Sequence, residues 1–304
     1  MADAHVSVRY VDPLARAWAR SKGLLFRPFS FSLWFVLGFT AWLARLWENA
    51  GFWGSKSWRE SIQVHDQDWG THFHGHGDVD LTEMLGISGL AAGLVLLLIV
   101  GALVLAILIA WLSSRGEFMF LDNIVHLRSR ISEPWRRLGR LADSLFLWRL
   151  AVQIAGGLLA LMLILPGALM IAGIATGGAW RGVGVLGVIV LGLVGLAVAI
   201  AAALVNFWTD HCVVPIMYRY DLRILDGWRR FLPLLSAHPG SFVLFGLFYL
   251  VLSIAYGIAV FAFGLLTCCV GWLIVGIPYL GTVAQLPIFV TARALGPEFM
   301  AQFG

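Results

Sequence analysis

Three histidines in the first third of the chain offer metal-binding chemistry. His72, His74 and His76 alternate with single intervening residues, and alternate residues of an extended segment share one face. Three imidazoles on one face can bind zinc or copper, with a carboxylate such as Asp78 as a further ligand. Glycines beside these histidines favour the other interpretation, a solvated polar loop without bound metal. If the loop binds metal, we expect a sensor or accessory role rather than catalysis.

Polar side chains are scarce in the long apolar runs of the sequence, and a few of them are candidates for lining a polar cavity. These are Gln153, Asn206, Asp210 and Gln285. Polar groups inside apolar helices either line a pathway or hydrogen-bond between helices, and the sequence leaves both interpretations open. Ionisable residues are almost absent from the middle of the runs, so an ion-coupled pump is not expected.

No familiar catalytic motif stands in a suitable setting. The sequence has no nucleophile elbow, phosphate loop, dinucleotide-binding glycine pattern or HExxH zinc motif in a plausible context. We therefore predict no catalytic residues, no enzyme activity, and no cofactor unless the histidine loop holds zinc or copper. The odd cysteine count, with Cys268 and Cys269 adjacent, does not indicate a disulfide framework.

The composition indicates that these residues are positioned by membrane-spanning helices. The chain has 304 residues, of which 60% are hydrophobic and only 12% charged, whereas soluble domains carry about 25% charged residues. A spanning helix needs about 20 largely apolar residues. The apolar runs predict spans at residues 31–47, 87–112, 150–175, 183–208, 241–266 and 271–291.

The distribution of basic residues predicts the orientation of these spans. Seventeen Lys and Arg fall in segments 8–28, 113–149 and 209–240 and at the C-terminus, against three on the other side. The positive-inside rule places these segments in the cytoplasm. Loop 48–86 holds seven acidic residues and should lie outside. We expect a multi-pass protein of the inner (cytoplasmic) membrane with both termini in the cytoplasm.

A Trp-Arg pattern recurs before the first, third and fifth predicted spans. The residues concerned are Trp18 and Arg20, then Trp135, Arg136 and Arg137, then Trp228, Arg229 and Arg230. Trp and Arg favour the headgroup region, where Arg binds lipid phosphate. The pattern predicts three copies of a cytoplasmic interfacial helix followed by a transmembrane hairpin. The predicted fold is thus an all-α bundle of six transmembrane helices in a single domain, although chance similarity also explains such pairs.

Several motifs carry a family resemblance. They are SRGEFMFLDN at residues 114–123 with EPWR at 133–136, VVPIMY at 213–218, TCC at 267–269, IPYLGTV at 277–283, and the closing QFG. With these motifs the chain resembles an uncharacterised family of six-span prokaryotic membrane proteins. That family is distantly similar to the membrane domain of some glycerophosphodiester phosphodiesterases. The resemblance implies fold and location only, because the catalytic domain of those phosphodiesterases is absent from this chain.

Three functions are compatible with the sequence. The first is a non-enzymatic scaffold or accessory protein that binds lipid, including anionic headgroups, or a cytoplasmic protein through its interfacial helices. The second is a transporter or flippase of a small or lipidic molecule, and the third a metal-binding sensor or enzyme that uses the histidine loop. Nucleic acid is not an expected partner, because the basic residues are divided among several short segments.

Overall fold

The computed structural model describes residues 9–27, 29–49, 89–175, 181–267 and 270–303. All regular structure in these ranges is helical. In chain order the elements are α1 (Val11–Phe26), α2 (Phe31–Ala44), α3 (Leu46–Asn49), α4 (Gly89–His126), α5 (Ser132–Arg137), α6 (Gly139–Ala175), α7 (Arg181–Trp208), a π-helical turn (Thr209–Val213), α8 (Val214–Tyr220), α9 (Ile224–Ala237), α10 (Pro239–Leu266), α11 (Val270–Gly276), α12 (Pro278–Ala284), α13 (Leu286–Met300) and a 3-10 turn (Ala301–Phe303). The predicted all-α fold class is confirmed for this part of the chain.

Four stretches of helix in the described part are long and apolar enough to cross a membrane. They belong to α4, α6, the continuous run from α7 to α8, and α10. In the most apolar part of each, at most 6% of the residues are buried inside the protein. Exposing this much hydrocarbon to water would cost roughly 25 cal/mol per Å², whereas lipid solvates it. The chain is a membrane protein.

The first and sixth predicted spans differ from the other four. Helix α2 has only 14 residues, about 21 Å at 1.5 Å per residue. The C-terminal end of α2 contacts α4, where Ser113 Oγ donates a hydrogen bond to the Ala44 carbonyl at 2.6 Å. The sequence placed these two residues on opposite sides of the membrane. The sixth predicted span is divided into α11, α12 and α13. Six uninterrupted spanning helices are therefore not found in the described residues.

Proline explains why the sixth predicted span is divided. Pro278 and Pro287 each stand in the first turn of a new helix, after Ile277 and Gln285. Proline has no N–H to donate, and its ring clashes with the carbonyl four residues earlier, so a helix restarts more readily than it continues. Pro166, by contrast, lies inside the continuous helix α6.

The packed core lies at the arginine-rich ends of the long helices, not in their apolar middles. Its largest buried rings include Phe118, Phe231, Phe242 and Phe299. A second buried cluster joins α1, α2, the end of α4 and α13, with Ala17, Leu25, Leu37, Phe120 and Val290 among its members. The protein thus packs the arginine-rich ends of its helices together and leaves their apolar surfaces to the bilayer.

Candidate functional site

Two acids and two arginines from four different elements form a closed ring at the arginine-rich ends of the helices. Arg293 Nη1 of α13 lies 2.8 Å from Glu117 Oε1 of α4. Arg149 Nη2 of α6 donates to Glu117 Oε2 and, at 2.8 Å, to Asp210 Oδ1 in the π-helical turn. Arg293 Nη1 closes the ring by donating to the Asp210 carbonyl at 3.0 Å. The ring ties together the four elements that carry its members.

The ring is buried and therefore depends on its partners. The Glu117 side chain is 5% exposed, and those of Arg149 and Arg293 are 15% and 14% exposed. Removing a charge from water costs several kcal/mol per ion, which only close opposite charges and hydrogen bonds offset. Arg293 Nε and Nη2 are buried and have no hydrogen-bond partner among the described residues. Such unmet donors in a native structure usually mark a site for water or a bound group.

The π-helical turn places Asp210 and has a local cause in the sequence. Pro215 cannot donate to the carbonyl of His211 four residues earlier, and the wider turn accommodates the loss. At Gly296, an added Cβ would lie 2.2 Å from the His211 oxygen. Only glycine lets α13 approach the turn this closely. Single π-helical turns inside α-helices occur frequently at functional sites.

A cavity of about 380 Å³ opens beside the ring. All four ring members line it, together with Arg45, aromatic side chains and an apolar wall that includes Leu252 and Ile288. The imidazole of His211 stacks on the Phe207 ring, with 4.6 Å between ring centres, and lies edge to face with the Tyr249 ring, with 4.3 Å between ring centres. The lining of the cavity combines three guanidinium groups and two carboxylates with apolar side chains. This arrangement suits a ligand with a charged head and an apolar body.

A second buried acid organises the connection that follows α4. Asp122 is fully buried and accepts hydrogen bonds from Tyr218 Oη at 2.6 Å and Arg128 Nη2 at 2.9 Å. It also accepts one from Arg137. Leu127 adopts a left-handed backbone with φ 51°, an uncommon conformation for a bulky residue. The turn there brings the arginines back over Asp122, so this cluster positions α5 against α4.

The sequence was compared with family profiles, curated proteins and solved structures. A profile described as a family of unknown function, DUF7544, matches residues 8–301. The chain belongs to the DUF7544 family. No curated protein and no solved structure matches it. Membership confirms the expected relation to an uncharacterised family. The likeness to phosphodiesterase membrane domains and the prokaryotic origin stay predictions.

The cavity residues predicted from sequence occupy three places in this DUF7544 protein. Asp210 belongs to the charged ring. Gln153 and Asn206 line a separate groove of about 590 Å³ between α6 and α7. Gln285 donates to the Gly281 carbonyl at 3.0 Å and accepts from Tyr256, which itself lines the charged cavity. The structure brings Asp210 and Gln285 to the same neighbourhood and leaves the other two elsewhere.

The first predicted Trp-Arg group lies on α1, which packs along α13. Trp18 is 41% exposed beside the charged cavity, and Arg20 donates to Glu298 of α13 at 2.6 Å.

The other two groups pack largely against protein. Trp135 meets Trp111 edge to face at 5.8 Å, with the Arg115 guanidinium within 5.1 Å of both ring centres. Trp228 packs on Trp148 at the same distance. Of the arginines, Arg137 bonds to Asp122, Arg230 lies over the Tyr220 ring, and Arg136 and Arg229 are exposed.

The predicted metal ligands His72, His74 and His76 lie outside the described residues. Within the described residues, no group of three or more His, Cys, Asp or Glu side chains is placed to hold a metal ion.

Sequence reasoning missed Glu117, Arg149 and Arg293 as a site. Arg149 and Arg293 were counted only as markers of the cytoplasmic side, and Glu117 only as part of the motif at residues 114–123. The signal was present: each of the three stands at the boundary of an apolar run, where buried charge can be paired with charge from another helix.

Proposed function

We propose that this DUF7544 protein is a six-pass, non-enzymatic accessory protein of the cytoplasmic membrane that binds an anionic lipid at the charged cavity. Its two termini lie in the cytoplasm. The observation that carries the proposal is the meeting of guanidinium groups and an apolar wall at the depth where the apolar helices end. Arginine binds phosphate and carboxylate in a planar, two-pronged geometry, and the apolar wall suits an acyl chain.

Contacts between distant residues support a crossing between α10 and residue 293. Helix α10 begins near the inner ends, where Phe242 packs on Phe299 at 5.6 Å. The helix then continues for 24 residues beyond Phe242, to Leu266. Because Arg293 contacts Glu117 and Asp210, the chain must return to the inner side between α10 and residue 293.

The proposed threefold repeat is supported by the packing of the interfacial helices. Helix α1 packs on α13 through the pair of Arg20 with Glu298. Helix α5 packs on α4 through Arg137 and Asp122. Helix α9 approaches α8, where an added Cβ at Gly227 would lie 3.0 Å from Met217 Cγ. Each interfacial helix thus contacts the inner end of a helix assigned to an even-numbered span.

A non-enzymatic role fits the hydrogen bonding within the cavity. The charged side chains bond to one another, and the hydroxyl of Ser253 donates to the Tyr249 carbonyl of its own helix at 2.9 Å. Neither arrangement activates a nucleophile. An accessory role is therefore preferred over catalysis.

The test is the selective retention of lipid by purified protein. The chain in detergent should keep anionic phosphatidylglycerol in preference to zwitterionic phosphatidylcholine, as counted by native mass spectrometry. Ser253→Trp, which fills the cavity without changing its charge, and Arg45→Gln should both abolish the preference. Arg229→Gln, on the exposed face of α9, is the control and should retain it. Equal retention of the two lipids, or a preference that survives Ser253→Trp, would remove the proposal.

Transport of a lipidic molecule is the second candidate, favoured by the groove between α6 and α7. Gln153 and Asn206 supply polar groups there, and Gly156, Gly192 and Gly195 shape a smooth floor. The groove and the charged cavity are lined by different residues. Transbilayer movement of fluorescent lipid in proteoliposomes, lost in Gln153→Leu, would favour this candidate over an accessory role.

A further inference from the structure

A second cavity, of about 640 Å³, lies between the C-terminal ends of α4 and α13 and the helices α8 and α9. Its apolar surface is formed by Leu121 and Val125 of α4, Ile216 of α8, Met300 at the end of α13 and Phe303 in the 3-10 turn. A volume in the range of roughly 300–1,000 Å³ is typical of sites that hold a ligand or several side chains. Apolar lining of this extent indicates an occupant with apolar groups.

The depth of this cavity places it away from the bilayer. Along α4, Val125 is eight residues beyond Glu117, and Phe303 is ten residues beyond Arg293. At 1.5 Å per residue these steps amount to about 12–15 Å. Because the ring already stands where the apolar runs end, the second cavity faces the cytoplasm. This step rests on the proposed orientation but not on lipid binding at the ring.

Two arginines on the rim give the cavity its charge. The Arg230 guanidinium lies 3.8 Å from the centre of the Tyr220 ring, and that of Arg219 lies 5.5 Å from the same ring. Neither forms an ion pair with a carboxylate of the described residues. The acids of the same segment are engaged elsewhere, Asp221 with Arg140 at 2.5 Å and Asp226 with Arg229 at 3.4 Å. Two like charges beside one ring repel each other, and an anion between them relieves that repulsion.

We propose that this cavity is the docking groove for an acidic amphipathic segment of a soluble cytoplasmic protein. Carboxylates of that segment bind Arg219 and Arg230, while its apolar side chains fill the surface formed by Leu121, Ile216 and Phe303. Charge complementarity selects an acidic partner, and the depth of the groove selects a soluble one rather than a lipid headgroup. A short segment docked in one groove buries little area, so the affinity is expected to be micromolar.

The experiment is a selection with a random peptide library. Phage-displayed dodecapeptides are selected on the full chain in phosphatidylcholine nanodiscs, with counter-selection on the Arg219→Glu/Arg230→Glu variant. We expect enriched peptides to carry both carboxylates and apolar residues. A synthetic enriched peptide, followed by fluorescence anisotropy, should bind the double variant at least about tenfold more weakly, because favourable charge pairs become repulsive. Arg229→Glu, on the same helix but outside the groove, should change the affinity by less than about twofold.

Three results would overturn the proposal. One is enrichment of basic peptides, or of none beyond the counter-selected background. The second is an affinity that is unchanged in the double variant while its thermal unfolding midpoint matches that of the parent chain. The third is a dimer of the parent chain in nanodiscs that becomes a monomer in the double variant, since the groove would then hold a second copy. Labelling that places Arg230 outside the cell would instead refute the orientation, and lipid retention measured separately reports on the ring.

Discussion

Replacing Glu117 by glutamine should destabilise the protein more than any exposed charge removal. The substitution keeps the size of the side chain but leaves Arg149 and Arg293 buried with one carboxylate fewer. Breaking a buried ion pair by removing one partner costs about 3–5 kcal/mol. Arg149 keeps Asp210 Oδ1 and Arg293 keeps the Asp210 carbonyl. We therefore expect a loss near the lower end, about 3 kcal/mol in the free energy of unfolding.

The assay is titration of the detergent-solubilised protein with sodium dodecyl sulfate, followed by tryptophan fluorescence. The matched control is Asp226→Asn, which removes an acid from the exposed pair with Arg229, where the two side chains are 51% and 80% exposed. An exposed pair contributes about 0–1 kcal/mol. The double variant Glu117→Gln/Arg293→Gln should lose less than the sum of its single variants, because it removes both the charge and its partner. A Glu117→Gln loss no larger than that of Asp226→Asn would refute the idea that the ring holds the arginine-rich ends of the helices together.

Three further predictions concern backbone packing, pH and metal. Gly296→Ala should lower stability by about 1–3 kcal/mol through overpacking against the π-helical turn. The same change at Gly257, where no described atom lies within 4 Å of an added Cβ, should cause no loss in the same titration. A hydrogen bond from Arg130 lowers the pKa of Glu133 below its ordinary value. Ionised Glu133 therefore stabilises the folded state above its unfolded-state pKa, and this stabilisation is lost as the pH falls through its folded-state pKa. Glu133→Gln should reduce the acid sensitivity of the unfolding midpoint. An unchanged pH profile would contradict this. Alanine substitution of His72, His74 and His76 should leave zinc uptake by the purified protein unchanged in a micromolar titration. Saturable zinc binding that is lost in this variant would instead establish a metal site.

Hydropathy located four long helices because it reports directly on the solvent that surrounds each segment. The predicted spans 150–175 and 183–208 end at the same residues as α6 and α7, and span 241–266 begins two residues after α10. Span 87–112 stopped 14 residues short of the end of α4 at His126. Hydropathy cannot see that continuation, because the remainder of the helix is covered by protein and its polar residues face other helices.

The ring could not be predicted, because its partners are far apart in the sequence. Glu117 and Arg293 are 176 residues apart, and no local periodicity relates them. The close approach of α13 to the π-helical turn, which Gly296 allows, is equally non-local. The length of α2 was overestimated for a different reason. Its apolar character was taken to mean contact with lipid, whereas Leu37 and Ala41 pack inside the protein against the second core cluster.

The central claim is that the arginine-rich, ring-bearing ends of the helices lie in the cytoplasm. Its most direct test is labelling of single cysteines with a membrane-impermeant maleimide in intact cells, in a chain whose native cysteines have been replaced. A cysteine introduced at Ser61, within the acidic loop, should react from outside. Cysteines at Arg136 and Arg229, both exposed, should react only after the membrane is permeabilised. Labelling of Arg136→Cys and Arg229→Cys in intact cells, with Ser61→Cys protected, would contradict the account.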